Sequence, residues 1–255
     1  MRAFRAGFAL ELRIIRSNPD ALMPLFMAPL FAIIFMAIVR QSGRPDLESD
    51  ALMAPVLMTL LWVALQHAGT LMVGDRWQAL LEPIIASPTS LASVLLGRIM
   101  SLMCFALLSF FEVWAVGKLV FGVSISFQHP VEVVLTLVCT ALAMGGLAVT
   151  FSALLVMTRN AYTFTNSASF PLYLLGGVFV PVAILPDWIQ PVSSILFVSW
   201  SSDLLRASVN EAPVESFWAR LAMVLLLGAA SFAIGRGILH FVLRKMRASG
   251  ELAAA

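Results

Sequence analysis

Between Val131 and Met157 the only charged residue is Glu132, and comparable apolar runs recur near 21–39, 51–73, 99–121, 162–181 and 217–243. A helical run of about twenty apolar residues matches the ~30 Å hydrocarbon thickness of a bilayer. Inside that layer no water can satisfy backbone N–H and C=O groups, so a crossing segment must bond to itself as a helix. Six such runs therefore predict an all-α integral membrane protein with six transmembrane helices. Composition agrees: 60% of residues are apolar and 12% charged, where a soluble chain would carry roughly a quarter charged residues. Mean hydropathy is +0.95. The net charge of +2 gives no sign of a nucleic-acid partner.

The chain divides into one transmembrane domain, 1–255, with three non-spanning parts. Residues 1–17 form a basic amphipathic segment. At 100° per residue Phe4, Phe8, Leu12 and Ile15 share one face, and Arg2, Arg5, Arg13 and Arg16 an adjacent one, which suits an interfacial helix in an anionic headgroup layer. The charges are spread out rather than compact, so no cleavable signal is expected. Residues 74–98 interrupt the apolar pattern with Asp75, Arg76, Glu82, Pro83 and Pro88. Within them Trp77, Leu80, Leu81 and Ile84 are spaced to bury one helix face, and Ser87-Pro88 marks a turn. Residues 182–212 follow an apolar helix ending near Pro181. Prolines at 186 and 191 break them into pieces too short to cross, which predicts a re-entrant helical hairpin between spans five and six.

Positive charge fixes the orientation. Arg2, Arg5, Arg13, Arg16, Arg76, Arg98, Arg159, Arg244, Lys245 and Arg247 fall on one side. They outnumber Arg40, Arg44, Lys118, Arg206 and Arg220 on the other. Positive residues stay in the cytoplasm, so both termini are expected inside and the hairpin outside.

No catalytic or metal-binding constellation is legible. His67, His129 and His240 lie on separate segments, and neither a zinc-protease motif nor a nucleophile elbow occurs. Cys104 and Cys139 fall in apolar runs and read as packing residues, and the unclustered methionines as adaptable filler. Gln66, His67, Glu112 and Tyr173 are the polar groups within the spans that could meet a solute. As neighbours, Gln66 and His67 point about 100° apart and cannot both face one cavity squarely. Arg236 is placed to snorkel to the cytosolic surface. Ala141 and Gly145 in span four, with Ser231 and Gly235 in span six, are spaced for close helix approach.

Two stretches carry a family resemblance. Gly176-Gly177-Val-Phe179-Val-Pro181, then Leu185-Pro186-Asp-Trp188-Ile-Gln, then Asp203-Leu-Leu-Arg206 resembles the signature end of type-2 ABC transporter permeases, departing from it at Phe197-Val198-Ser199. Leu81-Glu82-Pro83-Ile-Ile-Ala-Ser87-Pro88, followed by Leu96-Gly97-Arg98, resembles that family's coupling segment, with Ala79-Leu80 where Gly-Thr is common. The resemblance implies the membrane subunit of a bacterial inner-membrane exporter of drugs, lipids or lipid-linked glycans. Asp75, Arg76, Trp77, Leu81, Glu82, Pro83, Ser87 and Pro88 would couple to the ATPase. The motif residues from Gly176 to Arg206 would form an extracytoplasmic gate. The sequence has no Gly-x-x-x-x-Gly-Lys-Ser/Thr loop. ATP and Mg would therefore be held by a separate ABC ATPase subunit in two copies, this chain binding no cofactor and catalysing no reaction. A second permease subunit, identical or a sister chain, and membrane lipid complete the implied partners. An ATPase-independent secondary transporter or channel is the alternative, though the inverted repeats and paired mid-depth charges common in such proteins are not apparent.

Overall fold

The computed structural model describes residues 2–18, 22–44, 47–77, 91–123, 129–158, 160–210, 214 and 216–249. Every regular element among them is helical: α1 Arg2–Ser17, α2 Met23–Gln41, α3 Glu48–Trp62, α4 Leu71–Trp77, α5 Leu91–Ala106, α6 Leu108–Leu119, α7 Pro130–Leu155, α8 Ala161–Leu175, α9 Gln190–Ser194, α10 Phe197–Val209 and α11 Phe217–Ser249. A π-helical turn, Val63–Ala68, joins α3 towards α4, and a 3₁₀ turn, Val182–Ile184, precedes α9.

Among the described residues, five stretches are long and apolar enough to cross a membrane: Met23–Gln41, Glu48–Trp77, Leu91–Leu119, Pro130–Leu155 and Phe217–Val242. The α3–α4 column is the axis of the bundle. Its most apolar stretch is 83% buried, against 22% for both α2 and α11, which ride on the outside. The remaining expected span differs. Helix α8 holds 15 residues, which at ~1.5 Å per residue is roughly 22 Å, short of the ~30 Å core. It stops at Leu175 rather than Pro181 because Gly177 adopts a left-handed φ of +68°. The amide of Gly177 then bonds the Leu174 carbonyl at 3.1 Å and that of Val178 the Tyr173 carbonyl at 3.0 Å. That pair of bonds is the Schellman arrangement that glycine allows at a helix end.

Small residues set the most extensive helix contact, between α7 and α11. A Cβ on Gly146 would lie 2.6 Å from the Gly228 carbonyl oxygen, and one on Gly235 would lie 2.6 Å from the Thr150 amide. Thr150 Oγ1 donates to the Ser231 carbonyl at 2.6 Å across the same seam. Ser231 and Gly235 thus meet α7, but at Thr150, while Ala143 and Gly146 face Gly228. Gly145 points elsewhere, onto Met100 and Ile99 of α5.

The segment after α8 folds into two short arms. Trp200 Nε1 donates to the Ser194 carbonyl at 2.8 Å and Ser199 Oγ to the Ser193 carbonyl at 2.7 Å, pinning α9 against α10. The arms differ in burial. Ile184 and Trp188 are 70% and 78% exposed, whereas Leu204 and Leu205 of α10 are fully buried among α3, α7 and α11. The short arm is thus exposed, and the long arm belongs to the core. Helix α1 packs on α5 through Gly7, Glu11 and Ile15, leaving Phe4 and Leu12 exposed.

Gly228→Val tests the seam. Overpacking of this kind costs about 1–3 kcal/mol, so the melting temperature of detergent-solubilised protein, followed by scanning fluorimetry, should fall measurably. An unchanged midpoint would show that α7 and α11 are not in contact there.

Candidate functional site

The polar groups of the bundle gather at three levels, and the lowest is the most buried. At the end carrying both α1 and the start of α5, Arg98 reaches two carboxylates on two other helices. Its Nε donates to Glu11 Oε2 at 2.7 Å, and its Nη1 to Asp75 Oδ1 and Oδ2 at 2.8 and 2.7 Å. Glu11, Asp75 and Arg98 are only 4%, 6% and 7% exposed. The geometry depends on two glycines. A Cβ on Gly7 would collide with the Val94 carbonyl oxygen, and one on Gly97 with the Phe4 carbonyl oxygen. Backbone-to-backbone approach brings Glu11, one turn beyond Gly7, within reach of Arg98.

The same end anchors the root of the 74–98 segment. Arg76 Nη1 donates to the Val156 carbonyl at 3.1 Å, at the C-terminus of α7. The Trp77 ring lies 5.6 Å from that of Tyr162 on α8, while remaining 67% exposed. Asp75 faces inward, to Arg98. Leu81, Glu82, Pro83, Ser87 and Pro88 lie outside the described residues.

Midway along the column, Gln66 sits in the π-helical turn and uses both ends of its amide. Its Nε2 donates to Asn166 Oδ1 at 2.5 Å and its Oε1 accepts from Thr165 Oγ1 at 3.1 Å. Single π turns inside α-helices often occur at functional positions. His67 does not join this group; its ring meets Trp62 edge-on at 4.8 Å. Helix α8 turns Thr163, Asn166, Ser167 and Phe170 outward, all exposed. Tyr173 is buried with its hydroxyl 3.4 Å from the Met58 carbonyl. Glu112 is half-buried on α6, and its Oε2 has no hydrogen-bond partner among the described residues. It makes no bond to Gln66, His67 or Tyr173.

At the far end the motif residues come together. Arg206 is 7% exposed; its Nη2 donates to the Val178 carbonyl at 3.0 Å, and its Nε lies 3.7 Å from Asp50 Oδ1 on α3. Ser202 Oγ donates to the Gly176 carbonyl at 2.9 Å. A Cβ on Gly177 would lie 2.8 Å from Ser202 Oγ, so the glycine pair lets α10 close on the end of α8. Phe179 stacks at 5.2 Å from Tyr173. Pro181 and Leu185 are half-buried beside it, and Pro186 is exposed. Asp203 lines an outward-opening cavity of about 410 Å³ with Asp187, Trp200 and Arg220. Burial holds its carboxyl above the usual range, while Arg206 and Arg220 pull it back down. Among the described residues no group of three or more His, Cys, Asp or Glu could hold a metal ion.

Sequence reasoning missed Glu11, Asp50, Thr165 and Asn166 as partners. Glu11 had a signal, being the lone acid in a helix of arginines. Thr165 and Asn166 had none beyond polarity in an apolar run.

Comparison with known proteins follows the same outline. A family model described as ABC-2 type transporter matches residues 4–210, which takes in all three levels. The protein named Probable multidrug ABC transporter permease YbhR of Escherichia coli (strain K12) is 22% identical over 207 residues. That alignment covers 78% of this chain and 56% of the relative. The same-named protein of Escherichia coli O157:H7 matches equally. The chain thus spans a little over half the length of the curated relatives it matches.

Arg98→Met leaves two carboxylates buried without their cation, and breaking a buried pair this way costs about 3–5 kcal/mol. The triple variant Glu11→Gln/Asp75→Asn/Arg98→Met should recover much of that loss in thermal melts. If Arg98→Met melts like the parent, the three groups are not mutually dependent.

Proposed function

The chain belongs to the ABC-2 type transporter family, and from that membership we propose that it is the permease subunit of an ATP-driven exporter for an amphiphilic solute. It is a multi-pass membrane protein. In the reading proposed here it sits in a bacterial inner membrane with both termini cytoplasmic. The observation that carries the mechanism is the Glu11–Arg98–Asp75 network. A docked ATPase subunit would press on residues 78–90, whose root is α4. Asp75 ties α4 to α5, and Glu11 ties α1 to both, so the three would move as one rigid lever. Arg76 on the Val156 carbonyl and Trp77 on Tyr162 would pass the push to the α7–α8 corner. ATP binding need only favour one arrangement of this lever over the other to bias the bundle.

The solute route is assigned to the outward face of α8. Thr163, Asn166 and Ser167 are exposed there, and polar groups left facing hydrocarbon are costly. A second permease subunit, identical or a sister chain, would cover that face and share the path with Gln66. Tyr173, Phe179 and the Gly176–Gly177 turn close the path at its outer end. The Arg206–Val178 bond holds that closure until α8 shifts against α10. Apolar walls broken by a few amides and hydroxyls suit a lipophilic or amphiphilic cargo such as a drug, a lipid or a lipid-linked glycan.

Purified complex should contain a stoichiometric ATPase, and Glu82→Lys should reduce its substrate-stimulated ATP hydrolysis towards the basal rate while membrane insertion is kept. Normal stimulation in that variant would remove residues 78–90 from the coupling route. A cysteine at Asp187 should react with an impermeant maleimide added outside intact cells; reaction only after the cytosol is opened would reverse the orientation.

A further inference from the structure

A second amphipathic feature lies between α5, α7 and α11, with no α8 residue in its lining. A cavity of about 170 Å³ between α5, α7 and α11 has Ser93, Arg236 and His240 at its mouth. A neighbouring cavity of about 210 Å³ is lined by Met100, Leu142, Gly145, Gly146 and Gly228. The two share Leu96 and Phe232 as walls, so they form one groove, polar at one end and apolar along the rest. Leu96, Met100, Leu142, Leu225 and Phe232 supply the apolar walls.

The polar end is basic, made of two arginines and a histidine. Arg236, His240 and Arg244 follow one another at four-residue steps on α11, which places them along one helix face. All three are exposed, and none has an ion pair or hydrogen bond to a described residue. Counting from Phe217, the nineteen residues to Arg236 rise roughly 28 Å, which brings the arginine to the edge of a ~30 Å hydrocarbon layer. The cations therefore stand at headgroup level and the groove runs inward from them.

We propose that this groove binds one anionic phospholipid, with its phosphate on Arg236, His240 and Arg244 and an acyl chain lying past Phe232 against Leu96, Leu142 and Leu225. Charge complementarity selects the occupant: basic residues at the membrane surface attract anionic lipid, each strengthening attachment by about fivefold. A soluble anion would leave the apolar shaft unused. The low burial of α11, 22%, leaves the groove open to the bilayer side. The site is separate from the solute route on α8; only its assignment to the cytosolic leaflet depends on the proposed orientation.

Native mass spectrometry of the full-length chain, loaded with equal amounts of dioleoylphosphatidylglycerol and dioleoylphosphatidylcholine, tests the site. The phosphatidylglycerol adduct should be retained about fivefold or more over the phosphatidylcholine adduct. Arg236→Gln/His240→Gln/Arg244→Gln should erase that preference. Ala229→Phe, which fills the apolar part of the groove, should lower retention of both lipids; far-UV circular dichroism would establish that each variant is folded. Equal retention of the two lipids by the parent chain, or an undiminished preference in the triple variant, would overturn the proposal. So would complete displacement of phosphatidylglycerol by millimolar inorganic phosphate, since the chain would then be recognising a phosphate alone. These measurements need no ATPase, so they succeed or fail independently of the exporter reading.

Discussion

Arg98 has to be paired, and much of the bundle base is arranged around meeting that requirement. A guanidinium 7% exposed carries a desolvation penalty of several kcal/mol unless opposite charge and hydrogen bonds replace water. Its partners come from α1 and α4, so α5 cannot keep its place unless both neighbours do. The value of such a group is less in net stability, which hydrophobic residues could supply as well, than in permitting one register among three helices. Gly7 and Gly97 are the corresponding steric condition, since larger residues would hold α1 off and leave Glu11 short of its cation.

The upper part of the chain answers a different constraint with the same means. Helix α8 must stop early enough for the segment after it to fold back, and Gly177 does so by taking a φ of +68°. The stop frees space that α10 enters, with Ser202 on the Gly176 carbonyl and Arg206 on the Val178 carbonyl. Once α10 is inside, Arg206 requires an acid, and Asp50 at the start of α3 lies 3.7 Å from its Nε. Both ends of the bundle thus use a buried arginine that spans elements distant in sequence. Between them the α3–α4 column carries little polarity beyond Gln66, His67 and Thr70.

Much of the architecture was legible because bilayer physics acts on local runs of residues. The apolar stretches at 21–39, 51–73, 99–121, 131–157 and 217–243 all became long helices, with ends shifted by a few residues at most sites and further at α5, which starts at Leu91. The stretch at 162–181 did not become a long helix, because a glycine pair in an apolar run signals a possible stop without saying whether the chain will use it. Periodicity picks out Phe4, Phe8, Leu12 and Ile15 as the apolar face of α1 but does not say which residues meet α5; that contact was decided by how closely two backbones could approach. That criterion favours Gly7, and Glu11 and Ile15 follow at helical spacing.

The sequence alone determined the class of protein, the approximate spans and the two motif-bearing stretches, since each depends on composition or spacing within a few dozen residues. Tertiary structure decided which polar residues meet. Being the lone acid of its helix marks Glu11 without naming its partner, and nothing local distinguishes Arg98 from a snorkelling cation or Asn166 from a stray amide. Their partners lie 87, 23 and 100 residues away, and pairings over such separations exist only once the helices have packed.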